Sequence, residues 1–369
     1  MPVPMMDLKA QYAPMKQEID TAVLAVLESQ QFRGGVVVEA FERAVADFIG
    51  VPHALGVSDG TNAILLALRA VGLKRDEEVI TTPFTFFATG GATANAGGIP
   101  IFVDIDPVTF NIDVAQIEAK ITPRTRALLP VHIFGQCADM DPILALAEKH
   151  GLAVIEDSAQ SLGAKYKGRS ACSMGDAGTI SYYPSKNLGG AGEGGMIATR
   201  KHEVAEQVRL LRGHGAGKTY FHDIIGTNCH LHAIQAAVLG VKLKFLAQWN
   251  EKRRDIANRY HAALGQFEEI VLPQTLPGNE HVWHQYVIRI PRRDAALALQ
   301  RERGIECGVF YPLPLHRQKC FAQLPSANAQ CPEADKASSE VLALPIFPEM
   351  TDGQQDQVVN ALRDHLTRK

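Results

Sequence analysis

Long apolar runs are missing from this 369-residue chain, and the longest fall well short of the ~18 residues that a membrane-spanning helix needs. A basic excess is missing too: 37 Lys and Arg against 40 Asp and Glu give a net charge of −3. That balance argues against a nucleic-acid polymer or an anionic membrane as partner. The N-terminus lacks a basic start followed by an apolar core, so no secretory signal is predicted.

Paired cysteines are also absent, because the six cysteines lie far apart and none forms a CxxC motif. Reduced thiols are therefore expected, and with them a soluble cytoplasmic protein. With 46% apolar and 21% charged residues, the chain is not a disordered tail, a coiled coil or a disulfide-stapled mini-domain. It is long enough for one large domain or two.

Short apolar runs alternate with amphipathic stretches over residues 54–290. Uncharged runs of four to six residues between helices are typical of strands that are buried on both faces, as in a mostly parallel α/β sheet. Seven strands are predicted, and helices are predicted between them, including one over Asp113–Ile121.

A single long helix is predicted over His232–Leu264, followed by a strand–helix–strand–helix pattern. The second strand is expected at Glu306–Tyr311, and helices at Glu333–Leu342 and Asp352–Leu366. Two domains follow: a large α/β domain over residues 1–245 and a small C-terminal α+β domain over residues 246–369.

Two loop motifs carry polar chemistry at strand ends. In Ser58–Asn62, Gly60 and the first helical N–H groups are suited to cradle a phosphate, although an ordinary helix N-cap explains the same residues equally well. Asp157 follows a predicted strand, where a carboxylate can hold a protonated heterocyclic nitrogen or simply cap the next turn. The phosphate-binding GxGxxG and P-loop patterns are absent.

Lys186 lies among aromatic, small and apolar residues and is followed by five glycines up to Gly195. In a dry pocket the pKa of such an amine falls, and it becomes a nucleophile able to form a Schiff base. An exposed lysine on a glycine-rich hairpin is the alternative. The glycines allow backbone to approach a flat ligand closely.

Five motifs in order resemble the DegT family of fold-type-I nucleotide-sugar aminotransferases. They are the Gly60-Thr61 pair at a helix start, EDxAQ, SxxPSKNLGGxGEGG, GxNxxLxxxQAA and YPxPLH, and the resemblance covers nearly the whole chain. It implies a fold-type-I architecture, a pyridoxal 5'-phosphate cofactor and catalytic roles for Lys186 and Asp157. Lys186 is expected to bond to the cofactor and shuttle a proton, and Asp157 to pair with the ring nitrogen.

The same resemblance implies the remaining binding residues. For the cofactor they are Gln160 at the phenolic oxygen, Phe86 stacked on the ring, and Gly60, Thr61 and Ser181 at the phosphate. Asn228 is expected to reach the phosphate of a partner subunit's cofactor, which implies a homodimer with shared active sites. The substrate pocket is expected to include Arg33, Tyr311, His316 and His230.

One departure from the family pattern stands at position 230, where the usual arginine is a histidine. A titratable imidazole there leaves open how an acidic or phosphate group of the substrate is bound. No metal site is predicted, because His230 and His232 at i, i+2 do not share a helix face.

The expected reaction is transfer of an amino group from L-glutamate to a keto-sugar nucleotide, for a surface polysaccharide or an antibiotic. The run QAAVLGVKLKFLAQWNEKRR resembles family members that act at a 3-keto position, with a 4-keto substrate as the main alternative. A sugar dehydratase of this fold carries histidine in place of Lys186, and a non-catalytic regulatory relative is expected to lose one of the site residues. Both alternatives are therefore disfavoured.

Overall fold

A computed structural model describes residues 2–367 of the chain. The strands, in chain order, are β1 (His53–Val57), β2 (Glu78–Thr81), β3 (Ile99–Phe102), β4 (Thr125–Leu128), β5 (Ala153–Asp157), β6 (Lys165–Tyr166), β7 (Arg169–Ser170), β8 (Ala177–Ser181), β9 (Gly195–Thr199), β10 (Ala216–Lys218), β11 (Phe221–His222), β12 (Asn279–Glu280), β13 (Tyr286–Arg289) and β14 (Val341–Leu344).

The α-helices, in the same order, are α1 (Leu8–Tyr12), α2 (Lys16–Ser29), α3 (Gly35–Ile49), α4 (Gly60–Ala70), α5 (Phe87–Asn95), α6 (Met140–His150), α7 (His202–Arg212), α8 (Ala233–Leu243), α9 (Leu246–Leu264), α10 (Arg293–Glu302), α11 (Pro332–Glu340) and α12 (Asp352–Thr367). Within residues 2–367, no helix is both long and apolar enough to cross a membrane.

The main sheet has seven strands in the order β1-β9-β8-β5-β4-β2-β3. Strands β3, β2, β4, β5 and β8 run parallel to one another, whereas β9 is antiparallel to both β8 and β1. The expectation of a mostly parallel seven-stranded sheet is therefore confirmed. The parallel strands are short and almost wholly buried, as strands covered on both faces must be.

Helices cover both faces of this sheet. On one face α4 and α7 pack against alternate strand residues such as Ile155 and Ile197. On the other face α3 and α8 pack near Met196, and α6 packs near Val154. The carboxyl ends of β2, β4, β5 and β8 therefore meet at one edge, where an open α/β sheet places its ligands.

A second core forms around the antiparallel pair of β13 and β14, from residues after 245 together with Val3 near the N-terminus. Helices α9 and α12 bury apolar residues against it, among them Tyr260 and Leu362. This small α+β layer agrees with the expected C-terminal architecture.

Four predicted elements differ in the structure. The single helix expected over His232–Leu264 is two helices, because α8 buries its apolar face against the main sheet and α9 buries its own against the second core. The predicted helix over Asp113–Ile121 is a pair of short 3-10 turns. No strand spans Glu306–Tyr311, where only Gly308 bridges to Ala343.

The fourth difference concerns the helix predicted over Glu333–Leu342. It ends at Glu340, and the chain then continues as β14, because Val341–Leu344 pairs with β13. Four consecutive apolar residues fit either element, and the pairing partner decides between them.

Candidate active site

A cavity of about 800 Å³ opens at the carboxyl edge of the main sheet. Eight of the predicted site residues line it, and they come from segments that are far apart in the chain: Gly60, Thr61, Phe86, Asp157, Gln160, Ser181, Lys186 and Tyr311. A cavity of this size, with few polar groups converging on it, is what a small-molecule site requires.

The start of α4 forms an anion cradle on the cavity wall. Asp59 caps the helix, because its Oδ1 accepts from the N–H of Asn62 at 2.8 Å. Gly60 and Thr61 are the first residues of α4, so their N–H groups have no acceptor within the helix. These groups lie at the positive end of the helix dipole. The Ser181 side chain lies beside Gly60, so a hydroxyl joins the two N–H groups.

Gly60 is required by this close approach, since a Cβ there would meet Ser181 Cβ at 2.7 Å. Gly60→Ala is expected to push the helix start away from Ser181 and to raise the dissociation constant of a bound phosphate group by roughly ten- to hundredfold. Equilibrium dialysis of the apoprotein with its phosphate-bearing ligand measures this. Gly240→Ala is the matched control, because nothing lies within 4 Å of a Cβ at that helical position. Equal affinity in both variants would contradict the cradle.

Asp157 ends β5, and its carboxylate faces the cavity. Oδ2 accepts from the Thr89 hydroxyl at 2.8 Å, and Oδ1 accepts from the N–H of Ala159 at 3.2 Å. Burial raises the pKa of this carboxyl, while these hydrogen bonds and the nearby Lys186 oppose the rise. The site therefore holds an oriented carboxylate with little solvent around it.

Lys186 follows the turn after β8 and lines the same cavity. Loss of surrounding water lowers the pKa of its ammonium group to about 8, and the negative charge of Asp157 partly offsets this. No hydrogen bond joins its Nζ to another of residues 2–367. At neutral pH the neutral amine is far more abundant than for an exposed lysine, as a nucleophile or base requires.

Gln160 and Tyr311 form a fixed pair on another wall. Gln160 Oε1 accepts from the N–H of Phe134 at 2.6 Å, so its Nε2 is the end that donates to the Tyr311 hydroxyl, at 2.9 Å. Phe86 also lines the cavity, and its side chain is 58% exposed, which leaves an aromatic face available to a ligand.

Three predicted residues lie together, apart from the cavity lining of the same chain. Arg33 places Nη2 2.6 Å from His230 Nε2, and Asn228 is exposed two residues before His230. Burial, followed by the charge of Arg33, lowers the pKa of His230 to about 4. His230 is therefore neutral at physiological pH, and the cation at this position is Arg33.

His316 is the fourth predicted residue outside the cavity lining. It is buried in a 3-10 turn, and its Nε2 lies 3.4 Å from Asp335 Oδ1. The roles of Arg33, Asn228, His230 and His316 stay predictions.

His284 lines the cavity and was not found by sequence reasoning. Asn187 Nδ2 donates to Asn250 Oδ1 and to the Val282 carbonyl, so its Oδ1 is an acceptor, and the His284 Nδ1 that lies 3.1 Å away must donate to it. Burial keeps the pKa of His284 well below its ordinary value. A neutral imidazole therefore stands on the cavity wall, joined through Nδ1 to the residue after Lys186, and its Nε2 accepts from Gln285 Nε2 at 3.5 Å.

Comparison with known proteins connects this geometry to a family. Residues 14–363 match the DegT/DnrJ/EryC1/StrS aminotransferase family. A "pleiotropic regulatory protein" of Geobacillus stearothermophilus is 47% identical over 99% of this chain and 98% of that protein. A UDP-N-acetyl-3-dehydro-alpha-D-glucosamine 3-aminotransferase of Acidithiobacillus ferrooxidans is 42% identical over 98% and 97%.

Solved structures agree. A Streptomyces venezuelae protein in complex with a ketimine intermediate has a TM-score of 0.96 and 39% identity, over 100% of this chain and 99% of that one. A Bacillus subtilis protein with bound cofactor PMP has a TM-score of 0.91 and 33% identity, over 99% of this chain and 83% of that one.

The cavity fits pyridoxal phosphate, the cofactor of this family. The anion cradle at Gly60 and Thr61 suits the phosphate, and the missing side chain of Gly60 lets Ser181 lie directly beside it. Asp157 and Lys186 line the same cavity, which provides a carboxylate for the ring nitrogen and an amine for the aldehyde. No group of three or more possible metal ligands occurs among residues 2–367.

Proposed function

Because the chain belongs to the DegT/DnrJ/EryC1/StrS aminotransferase family, we propose that it transfers an amino group from L-glutamate to C3 of a keto-sugar nucleotide. The observation that supports this most is one cavity lined by the Lys186 amine, the Asp157 carboxylate and the anion cradle of α4. An amine with a pKa near 8 is matched to proton transfer close to neutral pH.

The residues divide the work between holding and proton transfer. Gly60, Thr61 and Ser181 hold the phosphate, and Asp157 holds the ring nitrogen in its protonated form. When bound, pyridoxal phosphate supplies an electron sink for the pair left at the donor's α-carbon. Lys186 would bond to the cofactor's aldehyde, and as a free amine its Nζ would take the proton from the donor's α-carbon and give a proton back later in the reaction.

Two different molecules must use this cavity in turn, a small dicarboxylate and a bulky sugar nucleotide. Its volume of about 800 Å³ lies toward the upper end of typical ligand cavities, which suits the larger of the two. Substrate-binding roles for Tyr311, His316, Arg33 and His230 belong to this proposal, with Arg33 as the cation toward an acidic or phosphate group.

The choice of C3 rests on relatives and on the α8–α9 sequence. The Acidithiobacillus relative is named as a 3-aminotransferase of a UDP-linked 3-dehydro sugar. The product is proposed to be an amino sugar for a surface polysaccharide or an antibiotic.

A homodimer with shared sites is part of the proposal. Large apolar side chains stand exposed near Arg33 and Asn228 in the chain, and they include Phe32, Val36, Tyr220, Phe221 and Ile225. Exposed large apolar side chains are suited to an interface, and in the proposed dimer a second copy covers them and Asn228 reaches the partner's cofactor phosphate. We place the dimer in the cytoplasm, because all six thiols are free and Cys320 is exposed.

The test is an assay of the holoenzyme with glutamate and a panel of UDP- and dTDP-linked 3-keto and 4-keto sugars. A kcat/KM for 3-keto sugars at least about tenfold above that for 4-keto sugars is expected, since one misplaced polar contact costs that much. A preference for a 4-keto sugar would overturn the position of amination and leave the aminotransferase activity in place. If neither the 3-keto nor the 4-keto sugars are turned over, the proposed substrate class is wrong.

A further inference from the structure

Two threonine hydroxyls from the cavity lining form a line that ends at Asp157. Thr89 Oγ1 lies 2.8 Å from Asp157 Oδ2, and Thr85 Oγ1 lies 3.0 Å from Thr89 Oγ1. All three side chains are buried, with Thr89 fully so.

The direction of these hydrogen bonds follows from the carboxylate. An ionised carboxylate only accepts, so the Thr89 hydrogen points at Asp157. The Thr89 oxygen is then left to accept, and the hydrogen between the two hydroxyls comes from Thr85. Both hydrogens run toward the negative charge, and such a chain strengthens each bond in it.

The groups around this chain are rigid. Thr89 lies in the first turn of α5, and the Asp157 backbone is held by Pro130 O and the His132 N–H, each at 2.9 Å. Ala159 N–H holds the second carboxylate oxygen at 3.2 Å. The carboxylate plane is therefore set by the protein before any ligand binds.

The ionised state of Asp157 needs such support. Burial raises the pKa of this carboxyl, and the Thr89 hydrogen bond is the largest opposing cause, ahead of Ala159, Lys186 and His132. Tyr311 also faces Asp157, but burial raises the pKa of its hydroxyl, so it adds no charge.

We propose that Thr89, supported by Thr85, is a positioning residue that keeps Asp157 ionised and oriented toward the ring nitrogen of pyridoxal phosphate. The proposal rests on the proposed aminotransferase function but not on the identity of the sugar. Since Thr89 touches Asp157 directly and Thr85 does not, their removal produces graded effects in the same direction.

The experiment compares Thr89→Val with Thr93→Val. Thr93 is fully buried one turn later on α5, and its one hydrogen bond from the hydroxyl within residues 2–367 is to the Thr89 carbonyl, at 2.9 Å. Loss of a hydrogen bond to a charged group predicts a ten- to hundredfold slower glutamate half-reaction in Thr89→Val and weaker cofactor binding to the apoprotein. The acid limb of the pH–rate profile is expected to move to higher pH, because removal of a donor raises the pKa of Asp157.

Thr89→Ser keeps the hydroxyl and is expected to restore the wild-type acid limb. Thr85→Val, which leaves the Thr89–Asp157 bond in place, is expected to shift it less and in the same direction. An unshifted acid limb in Thr89→Val, or equal losses in Thr89→Val and Thr93→Val, would overturn the proposal.

The proposed function fails separately: it is wrong if none of the amino donors tested removes the visible absorbance band of the wild-type holoenzyme. The cofactor dissociation constants and the pH dependence of the visible spectrum still decide the role of Thr89 in that case. A raised dissociation constant and a shifted spectral titration in Thr89→Val support it, and wild-type values of both overturn it.

Discussion

Lys186→Ala is expected to abolish amino transfer, with a fall of at least about 10⁴-fold in the glutamate half-reaction. The variant loses both the amine that bonds the cofactor and the base that moves the α-proton. Among residues 2–367, no other lysine lines the cavity, so no neighbour in that part of the chain replaces it. Stopped-flow absorbance of the reconstituted protein after addition of glutamate measures the loss.

The fold is expected to survive this change. Lys186 Nζ makes no hydrogen bond to residues 2–367, and its ammonium form is disfavoured by burial. A lysine whose pKa is lowered by folding destabilises the folded state at pH values below the lowered pKa. The apoprotein of Lys186→Ala is therefore expected to unfold at pH 7 at the same temperature as the wild type or at a higher one.

Lys244→Ala is the control for Lys186→Ala. Lys244 is an exposed lysine that pairs with Glu18 at 3.1 Å, and its removal is expected to change neither the rate nor the spectrum. Rapid conversion by Lys186→Ala would mean that the reactive amine lies elsewhere.

Asp157→Asn is expected to slow proton abstraction by about 10²–10³-fold, while the protein still binds pyridoxal phosphate. The amide has the shape of the carboxylate, and its oxygen still accepts from Thr89. It carries no charge, however, so it cannot hold a proton on the ring nitrogen. Single-turnover rates with glutamate, measured across pH, test this.

The stability of the Asp157→Asn apoprotein shows whether activity is lost through the missing charge or through unfolding. Burial raises the pKa of Asp157, and a raised carboxyl pKa costs stability at pH 7, so the neutral variant is expected to be no less stable than the wild type. Asp356→Asn, at an exposed pair with Arg259, is the control for a lost carboxylate. Near-normal turnover of Asp157→Asn would mean that a group other than Asp157 pairs with the ring nitrogen of the cofactor.

The residues that sequence reasoning placed in the cavity share a physical property. Gly60 begins α4, Asp157 ends β5 and Lys186 lies in the turn segment that follows β8, and the order of strands along a parallel sheet brings such positions to one edge. Local pattern therefore sufficed for them.

Residues that reach the site by packing between distant segments left no such pattern. Thr89 meets Asp157 from the first turn of α5, and His284 is held at the cavity by Asn187, whose amide bonds in turn to Asn250 of α9. The Arg33–His230 contact joins residues 197 positions apart, so neither partner predicts the other. Thr89 could be found by looking for hydroxyl residues on the apolar face of a predicted helix, at a spacing of 3.6 residues, where that helix lies next to a strand end.

The break between α8 and α9 also supports a domain boundary, which we propose lies at residues 245–246. Helix α8 packs into the core of the main sheet, and α9 packs mainly into the core of β13 and β14. Because the chain passes from one core to the other at this point, the helix is interrupted there. The periodicity of apolar residues alone does not predict this interruption.

The most direct test of the account is the fate of the glutamate nitrogen. The purified holoenzyme is incubated with isotopically labelled glutamate and a UDP-linked 3-keto sugar, and the sugar nucleotide is analysed by mass spectrometry. The account predicts one labelled amino group on C3 of the sugar with wild-type protein and none with Lys186→Ala. An unlabelled sugar, or labelling that persists in Lys186→Ala, would contradict it.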